Sequence, residues 1–456
     1  MLIGLTLHRI VGTLAALESD FMGRCRSCAG RINAYRGQLL VLLIGCVSFA
    51  LPLRAQVEIS PTISSVVAPL PADDTPTGDG LITGQFGPNP GPFEYAIHLS
   101  LRGAYDDNIG LTHMHRLDDW FVQVQPSLML GLGDIVKQET FVLVNYLPSI
   151  YRYDEHSEFD SDQHVVRLLA GYKTPNLILR LNQDVAILNN IVLAASTLEP
   201  LSLVPSGRTD VDIYNTGLSA NYNMTPSDFL FSELRMNRTE YAEPLVSSEV
   251  YAADLYLNHG FSPTFVLGLG VAGGYDAVDF PTPNQTFVQA NVHLNYTPGK
   301  EFSFDLIAGE EFRDFEDIAR GTYSTPVFAI SATYLPCDST KIVLNATRQI
   351  YNSAARTAQD YVDTSVTALI RERICKQLYL AVIAGYEHLE YFNAIDLPMP
   401  LPTLRDDYWY VQPSADILMT RYWSFGGYYL HRQNSGSVSP VDFYSNEVGL
   451  RTTIKF

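Results

Sequence analysis

The carboxyl-terminal residues of the chain alternate between apolar and polar or small side chains. The apolar positions are Val448, Leu450, Ile454 and Phe456, and the chain ends on that aromatic residue. A membrane-spanning strand with lipid on one face and an aqueous lumen on the other must change character at every residue. The pattern therefore predicts the last strand of an outer-membrane β-barrel, and these four residues resemble the signal that the outer-membrane assembly machinery recognises.

The same alternation recurs from residue 93 to the end of the chain, for example near 93–106, 176–190 and 285–297. Very short turns, often containing Pro, separate the segments in pairs, and longer acidic, Tyr-rich stretches separate the pairs. Counting two strands per pair predicts a single all-β transmembrane antiparallel barrel of about 18 strands over 93–456. Losing or splitting one hairpin would give 16 or 20. Both chain ends and the short turns would then lie in the periplasm, with the longer loops outside the cell.

The residues before this region form a leader. Arginines precede an apolar run that covers 38–53, and the small residue Ala55 follows it. This arrangement predicts a secretory signal peptide over 1–55, whose long charged beginning is explained by a misassigned start with Met22 as the true one. Residues 56–92 are rich in Pro, Gly, Ser, Thr and Asp without periodicity, and are predicted to be a disordered periplasmic segment.

The net charge of the chain limits the classes of molecule that it can bind. Removal of residues 1–55 takes away 6 of 30 basic and 2 of 49 acidic residues, which leaves 24 against 47 and a formal charge of −23. So acidic a chain will not bind nucleic acid electrostatically. The predicted partners are outer-membrane lipids, the assembly machinery, and small hydrophilic solutes or polysaccharide. Homotrimers are common among channels of this kind, but the sequence identifies no subunit interface.

The two-residue period of the strands also predicts which side chains face the lumen. The inward positions of the predicted strands carry both charges: Glu94, Arg102, Arg180, Asp184, Glu233, Arg235, Asp254, Asp305, Glu311, Arg313, Asp363, Arg371, Glu447 and Arg451. Acids modestly outnumber bases, which predicts a lumen with weak cation preference. The alternative is that these charges pair with one another across the barrel.

The predicted lumen is wide. Eighteen strands about 4.8 Å apart and tilted about 40° give a backbone diameter on the order of 35 Å, which side chains alone do not fill. The longest connection, 190–210, is unusually apolar. It is expected either to fold into the barrel mouth as a constriction or to pack at the surface.

No motif for covalent or cofactor chemistry occurs, so no enzyme, cofactor or metal is predicted. A rim enzyme is the weakest alternative, and its candidate residues near the predicted rim are Asp106, Asp107, His113, His115, His388 and His431. The acids of Asp106-Asp107-Asn108 are the right type of ligand for Ca²⁺, but solvated acidic loops are far commoner.

Two stretches carry a family resemblance. Gly103-Ala104-Tyr105-Asp106-Asp107-Asn108-Ile109 followed by Val124-Gln125-Pro126-Ser127-Leu128, and later Tyr361-Val362-Asp363-Thr364-Ser365-Val366, resemble the β-barrel porin 2 family. The resemblance covers about 93–456. It implies an outer-membrane barrel of a Gram-negative bacterium and supplies no catalytic residues.

These observations predict a diffusion channel for small hydrophilic solutes. The alternative is an accessory of exopolysaccharide export or surface attachment. In that case a set of tyrosines assigned to the outer loops would stack on sugars: Tyr151, Tyr153, Tyr351, Tyr391, Tyr408 and Tyr410.

Overall fold

The computed structural model describes residues 93–134, 139–192, 208–316, 321–356, 358–395, 404–437 and 442–456. The predicted signal peptide, the predicted periplasmic segment and most of the apolar connection 190–210 lie outside these residues. No helix in the described part of the chain is long and apolar enough to span a membrane.

The strands follow one another along the chain as the alternation predicts. They are β1 (Phe93–Asp106), β2 (Asp119–Gly133), β3 (Phe141–Tyr153), β4 (Ser161–Lys173), β5 (Leu177–Val192), β6 (Arg208–Asn223), β7 (Asp228–Tyr241), β8 (Ser248–Ser262), β9 (Phe265–Val278), β10 (Gln285–Gly299), β11 (Phe302–Phe315), β12 (Tyr323–Cys337), β13 (Thr340–Asn352), β14 (Gln359–Arg373), β15 (Leu378–Asn393), β16 (Arg405–Thr420), β17 (Trp423–Gly436) and β18 (Phe443–Lys455).

Each strand pairs antiparallel with its neighbours in sequence, and the sheet closes on itself. β1 pairs with β18 from His98 opposite Lys455 to Asp106 opposite Glu447. Closure leaves no sheet edge, which is the condition for a β-structure to cross lipid. The predicted single antiparallel barrel of 18 strands is confirmed.

The two ends of the barrel differ. At the turn end, where β18 finishes, β8 and β9 are joined by 263–264 and β12 and β13 by 338–339. The opposite end, the loop end, carries longer connections such as 107–118 and 242–247.

The outer surface is an apolar belt, because every second side chain of each strand faces the lipid. Phe93, Tyr95, Leu234, Leu269 and Leu450 are among its exposed side chains. The opposite face of each strand is the lumen face, and it carries most of the buried polar residues.

One part of the wall leaves the cylinder. The β12–β13 ladder ends at Phe328 opposite Arg348, so residues 323–327 and 349–352 have no partner in that ladder. β13 and β14 nevertheless stay paired to Asn352 opposite Asp360, and β14 and β15 to Gln359 opposite Asn393. The loop end of the β13–β14 hairpin, residues 349–356 and 358–362, thus separates from β12. It is called the hairpin tip below.

Candidate functional site: an occluded lumen

The hairpin tip folds into the barrel. Val362 is 1% exposed and Tyr391, on the neighbouring strand, is 0% exposed. A wall strand exposes one face to lipid, but in the tip both faces are covered. Asp360 meets Gln285 of β10 on one side, while Tyr361 packs against Tyr391 on the other.

Three hydrogen bonds anchor the tip to the part of the wall formed by β7 to β10 and their loops. The Val246 amide donates to the Ala354 carbonyl (2.8 Å). The Ala358 amide donates to Thr282 Oγ1 (3.1 Å), and Gln285 Nε2 donates to Asp360 Oδ2 (2.8 Å). β10 and β14 are four strands apart in the barrel order, so these bonds hold the tip inside the barrel against a part of the wall that it does not adjoin in the sheet. The tip is therefore a constriction near the loop end.

Arg313 organises the wall behind this contact. Its guanidinium donates to Glu311 Oε1 (2.8 Å) and Gln285 Oε1 (2.8 Å), and lies 3.5 Å from Asp276 Oδ2. All four side chains are buried, and alternation on three consecutive strands brings them to one lumen face. A charge buried here requires partners, since an unpaired one would cost several kcal/mol or more.

The fourteen sequence-predicted lumen residues all lie on the lumen face of their strands, and several form ion pairs. Arg102 binds Glu447 (2.7 Å), Arg235 binds Asp254 (2.8 Å), Arg313 binds Glu311 (2.8 Å), and Arg451 binds Asp416 (2.6 Å). Asp305 accepts from Asn295 and contacts His293. Asp184 lies opposite Arg167 in the β4–β5 register, and Glu94, Arg180 and Arg371 are half-buried. Some of the predicted lumen charges are therefore paired, as the alternative interpretation of the sequence expected.

Three lumen carboxylates are less well compensated. Glu233 and Glu387 are 2% and 4% exposed, and each has a buried oxygen without a hydrogen-bond partner among the described residues. The same is true of one oxygen of Asp363, which lies diagonally from Glu387 across β14 and β15. Sequence reasoning missed Glu387, although it alternates with outward Tyr386 in the same strand.

The tyrosines assigned to the outer loops lie on strands instead, so that part of the sequence interpretation is wrong. Tyr151, Tyr391 and Tyr408 are buried inside the barrel, and Tyr351 stacks on Tyr361 with 5.7 Å between ring centroids. The physical reason is the alternation of side chains along a strand: these tyrosines occupy the positions that point to the lumen, near the loop end. They narrow the lumen and do not form an outer surface.

The acidic sequence 106–108 is engaged in local structure. Asp106 binds Arg432 (2.6 Å) and accepts from Ser445, while Asp107 accepts two hydrogen bonds from Asn446. Burial alone would raise the pKa of Asp107, but bonds from Asn446 and Arg116 hold that pKa below its usual value. No group of three potential metal ligands occurs in the described ranges.

A closed 18-stranded barrel with an apolar outer belt and a polar lumen is a transmembrane barrel of the bacterial outer membrane. No family model and no curated protein matches the chain.

Solved structures with a similar architecture include three proteins of Pseudomonas aeruginosa. The outer-membrane protein OpdK is 12% identical and has a TM-score of 0.39, with 80% of this chain and 99% of that chain covered. OccK2 (OpdF) in complex with glucuronate is 10% identical with a TM-score of 0.41, covering 82% and 100%. The siderophore receptor PirA is 11% identical with a TM-score of 0.36, covering 79% and 80%. At such identities the lumen side chains of those proteins are no guide to this lining.

Proposed function

We propose that the chain is a porin-like channel through which small hydrophilic solutes diffuse across the outer membrane. The observation that carries the proposal is a closed barrel whose interior holds buried, charged and amide side chains on strand after strand. A barrel that served only as an anchor would not require such an interior, because burying polar groups is costly unless they are used or compensated.

The channel is narrow for its strand number. The hairpin tip folds inside the barrel at the loop end and packs against the wall near β7 to β10, so the free cross-section there is smaller than the cylinder of roughly 35 Å expected for 18 strands. We therefore propose conduction through the space that remains between the tip and the wall.

Weak cation preference belongs to the proposal. Glu233, Asp363 and Glu387 are among the lumen carboxylates with a buried oxygen that has no hydrogen-bond partner in the described residues, while the arginines Arg102, Arg235, Arg313 and Arg451 are engaged with acids. A lining in which several bases are paired with acids and further acids remain concentrates cations.

Three sequence-based expectations are kept within this proposal. They are cleavage of residues 1–55 as a signal peptide, a periplasmic segment over 56–92, and membership of the β-barrel porin 2 family. Their support is the pattern of residues quoted above for the leader and for the two family stretches.

A second function, handling of exopolysaccharide, is favoured by one observation. Tyr153 and Tyr410 are half-buried on the lumen face near the loop end, beside the buried Tyr151 and Tyr408, and their accessible ring surface is a stacking site where a sugar chain would pass.

The test is ion selectivity across a planar bilayer with a salt gradient. Exchange of Glu387 for Gln together with Asp363 for Asn should move the reversal potential toward that of a non-selective pore. The matched control is Glu249→Gln, whose side chain lies on the outer face and binds Tyr251. A double variant with the wild-type reversal potential would remove these carboxylates from the selectivity mechanism.

A further inference from the structure

The two ends of the barrel differ in charge as well as in the length of their connections. The five lysines of the described residues all lie at the turn end: Lys173, Lys300, Lys341, Lys376 and Lys455. A concentration of ammonium groups at one end creates a positive potential there, in a chain whose net charge is negative. The turn end is therefore the part of the barrel where an anionic partner would bind.

Four bases form a cluster at the turn end of β13 and β14, called the basic mouth below: Lys341, Arg371, Arg373 and Lys376. Lys341 pairs directly opposite Arg371, so the two side chains share the lumen face. Arg373 follows on the same face of β14, and Lys376 lies in the turn between β14 and β15. Like charges directly opposite each other on a sheet repel, so this arrangement favours a counter-anion.

The basic mouth is accessible from the aqueous phase. Arg373 and Lys376 are exposed, while Lys341 and Arg371 are half-buried. Within the described ranges, Lys341, Arg373 and Lys376 form no ion pair. These bases can therefore bind an external anion without first giving up an acid of the barrel.

Two acids lie near the basic mouth and do not balance it. Asp338 is exposed in the turn between β12 and β13. Glu372 alternates with the neighbouring arginines, so it points to the opposite face of β14, where it accepts a hydrogen bond from Thr340. Four bases against these two acids leave a formal charge of +2.

The residues that precede β1 carry the opposite charge. Residues 56–92 contain four acids and neither Lys nor Arg; the acids are Glu58, Asp73, Asp74 and Asp79. This acidic segment joins the barrel at Phe93, where β1 begins at the turn end. It is therefore tethered at the same end of the barrel as the basic mouth.

The acids of the segment can reach the basic mouth. β14 lies five strands from β1 through β18, which is about 30 Å along the wall for strands about 4.8 Å apart and tilted about 40°. Asp79 and Asp73 precede Phe93 by 14 and 20 residues. Chains of these lengths span at most about 46–66 Å and have r.m.s. lengths of about 20–25 Å when flexible. The distance therefore lies within the range of the tether.

We propose that the acidic segment 56–92 binds the basic mouth through Asp73, Asp74 and Asp79 and lies across the turn-end opening of the lumen. The inference rests on the proposed function, which places this segment in the periplasm. Exposed ion pairs are individually weak, but the tether gives the segment an effective concentration that a free anion lacks. The bound segment neutralises bases at the mouth and so lowers an electrostatic barrier to cations.

The test is zero-length crosslinking with a carbodiimide, which joins a carboxylate to a lysine amine. Protein purified from outer membranes is placed in phosphatidylcholine nanodiscs, and the links are mapped by mass spectrometry. Links from Asp73, Asp74 or Asp79 to Lys341 and Lys376 should exceed links to Lys173 several-fold. Lys173 is the internal control, because it is exposed at the turn end of β4 and lies only three strands from β1. Tethering without specific binding would favour Lys173.

A matched pair of variants tests the role of charge. Arg373→Gln removes one base of the mouth but leaves both reactive lysines, and should lower the yield of links to Lys341 about two- to fivefold, the contribution of an exposed ion pair. Arg421→Gln is the control, because Arg421 is an exposed base of the turn end between β16 and β17. In about 1 M salt, where the screening length is about 3 Å, the links to Lys341 should also decrease.

Three results would overturn the docking: links to Lys173 that equal or exceed those to Lys341 and Lys376, links that Arg373→Gln leaves unchanged, or links that disappear in nanodiscs containing phosphatidylglycerol. The last result would assign the basic mouth to anionic lipid. If the links form but the protein conducts no current, the channel proposal fails and the docking stands. Current without the links would have the opposite meaning. Heat-modifiable migration on gels establishes that each variant is folded.

Discussion

The hairpin tip should behave as the closed state of a gate, and Gln285→Met should open it. Gln285 Nε2 donates to Asp360 Oδ2, a bond to a charged group that is worth about 1.5–3 kcal/mol. In the closed state the variant leaves a buried carboxylate oxygen without that donor, whereas in an open state water would solvate Asp360. Gln285→Met also removes the oxygen that accepts from Arg313, but that loss is common to both states, so the variant shifts the balance toward the open state.

The size of the effect follows from the same bond. Since 1.4 kcal/mol is a factor of ten, losing about 1.5–3 kcal/mol should raise the ratio of open to closed tip roughly 10- to 150-fold. The two remaining anchors are neutral bonds from the Val246 and Ala358 amides, worth about 0.5–1.5 kcal/mol each. They should retain part of the closed population.

Single-channel recording measures this ratio as time spent in the higher conductance level. The matched control is Gln289→Met, because Gln289 lies on the same strand and lumen face but donates to Glu311 Oε2 (2.7 Å) and not to the tip. A cysteine pair replacing Val246 and Ala354, in a background without the native cysteines, should abolish the higher level until a reductant is added. The gate would be refuted if wild type and Gln285→Met spent equal time in the higher conductance level and the cysteine pair did not change that time.

Three further predictions follow from other parts of the fold. Cys337 lies exposed at the turn end, so a membrane-impermeant PEG-maleimide should label it only after cells are permeabilised, whereas a cysteine at the exposed loop residue Met114 should react in intact cells. Removal of Phe456, whose amide donates to the Ile97 carbonyl (2.9 Å), should lower the amount of barrel in the outer membrane while refolding in detergent proceeds, as measured by heat-modifiable migration. The pKa of Asp107 is lower in the folded than in the unfolded chain, so Asp107 stabilises loop 107–118 fully above the unfolded pKa and no longer does so once pH has fallen through the folded pKa. Hydrogen exchange, corrected for intrinsic rates, should show that protection of the loop amides falls over this pH range. Asp107→Asn should remove the pH dependence.

Much of the barrel could be predicted from sequence because lipid and lumen impose opposite demands on alternate residues. The predicted first strand, 93–106, coincides with β1, and in β10 the exposed Val288 and Val292 alternate with the buried Phe287, Asn291 and His293, which is the two-residue period on which the face assignment rests. Proline-bearing turns located the hairpins, and an even strand number followed.

The hairpin tip could not be predicted by the same rule. Alternation assigns Val362 to lipid, but the strand bends inward and both of its faces become covered. The cause is tertiary: the tip binds Val246, Thr282 and Gln285, and each of these residues lies 75 or more positions from its partner in the sequence. Nothing in the local pattern records such contacts.

Ion pairing escaped sequence reasoning for a similar reason. Arg102 and Glu447 are 345 residues apart and meet only because β1 closes on β18 in one particular register. Alternation along each strand identifies which charged side chains face the lumen, but the register between paired strands decides which of them neutralise one another. The excess acids at Glu233, Asp363 and Glu387 become visible only after those pairs are known.

Single-channel conductance of the refolded chain 56–456 in a planar bilayer with a salt gradient tests the central claim most directly. The account predicts stable openings, smaller than an unobstructed 18-stranded lumen would give, with a reversal potential that favours cations. Protein shown to be folded that produces no openings would contradict the channel, and openings with an anion-favouring reversal potential would contradict the role given to the lumen carboxylates.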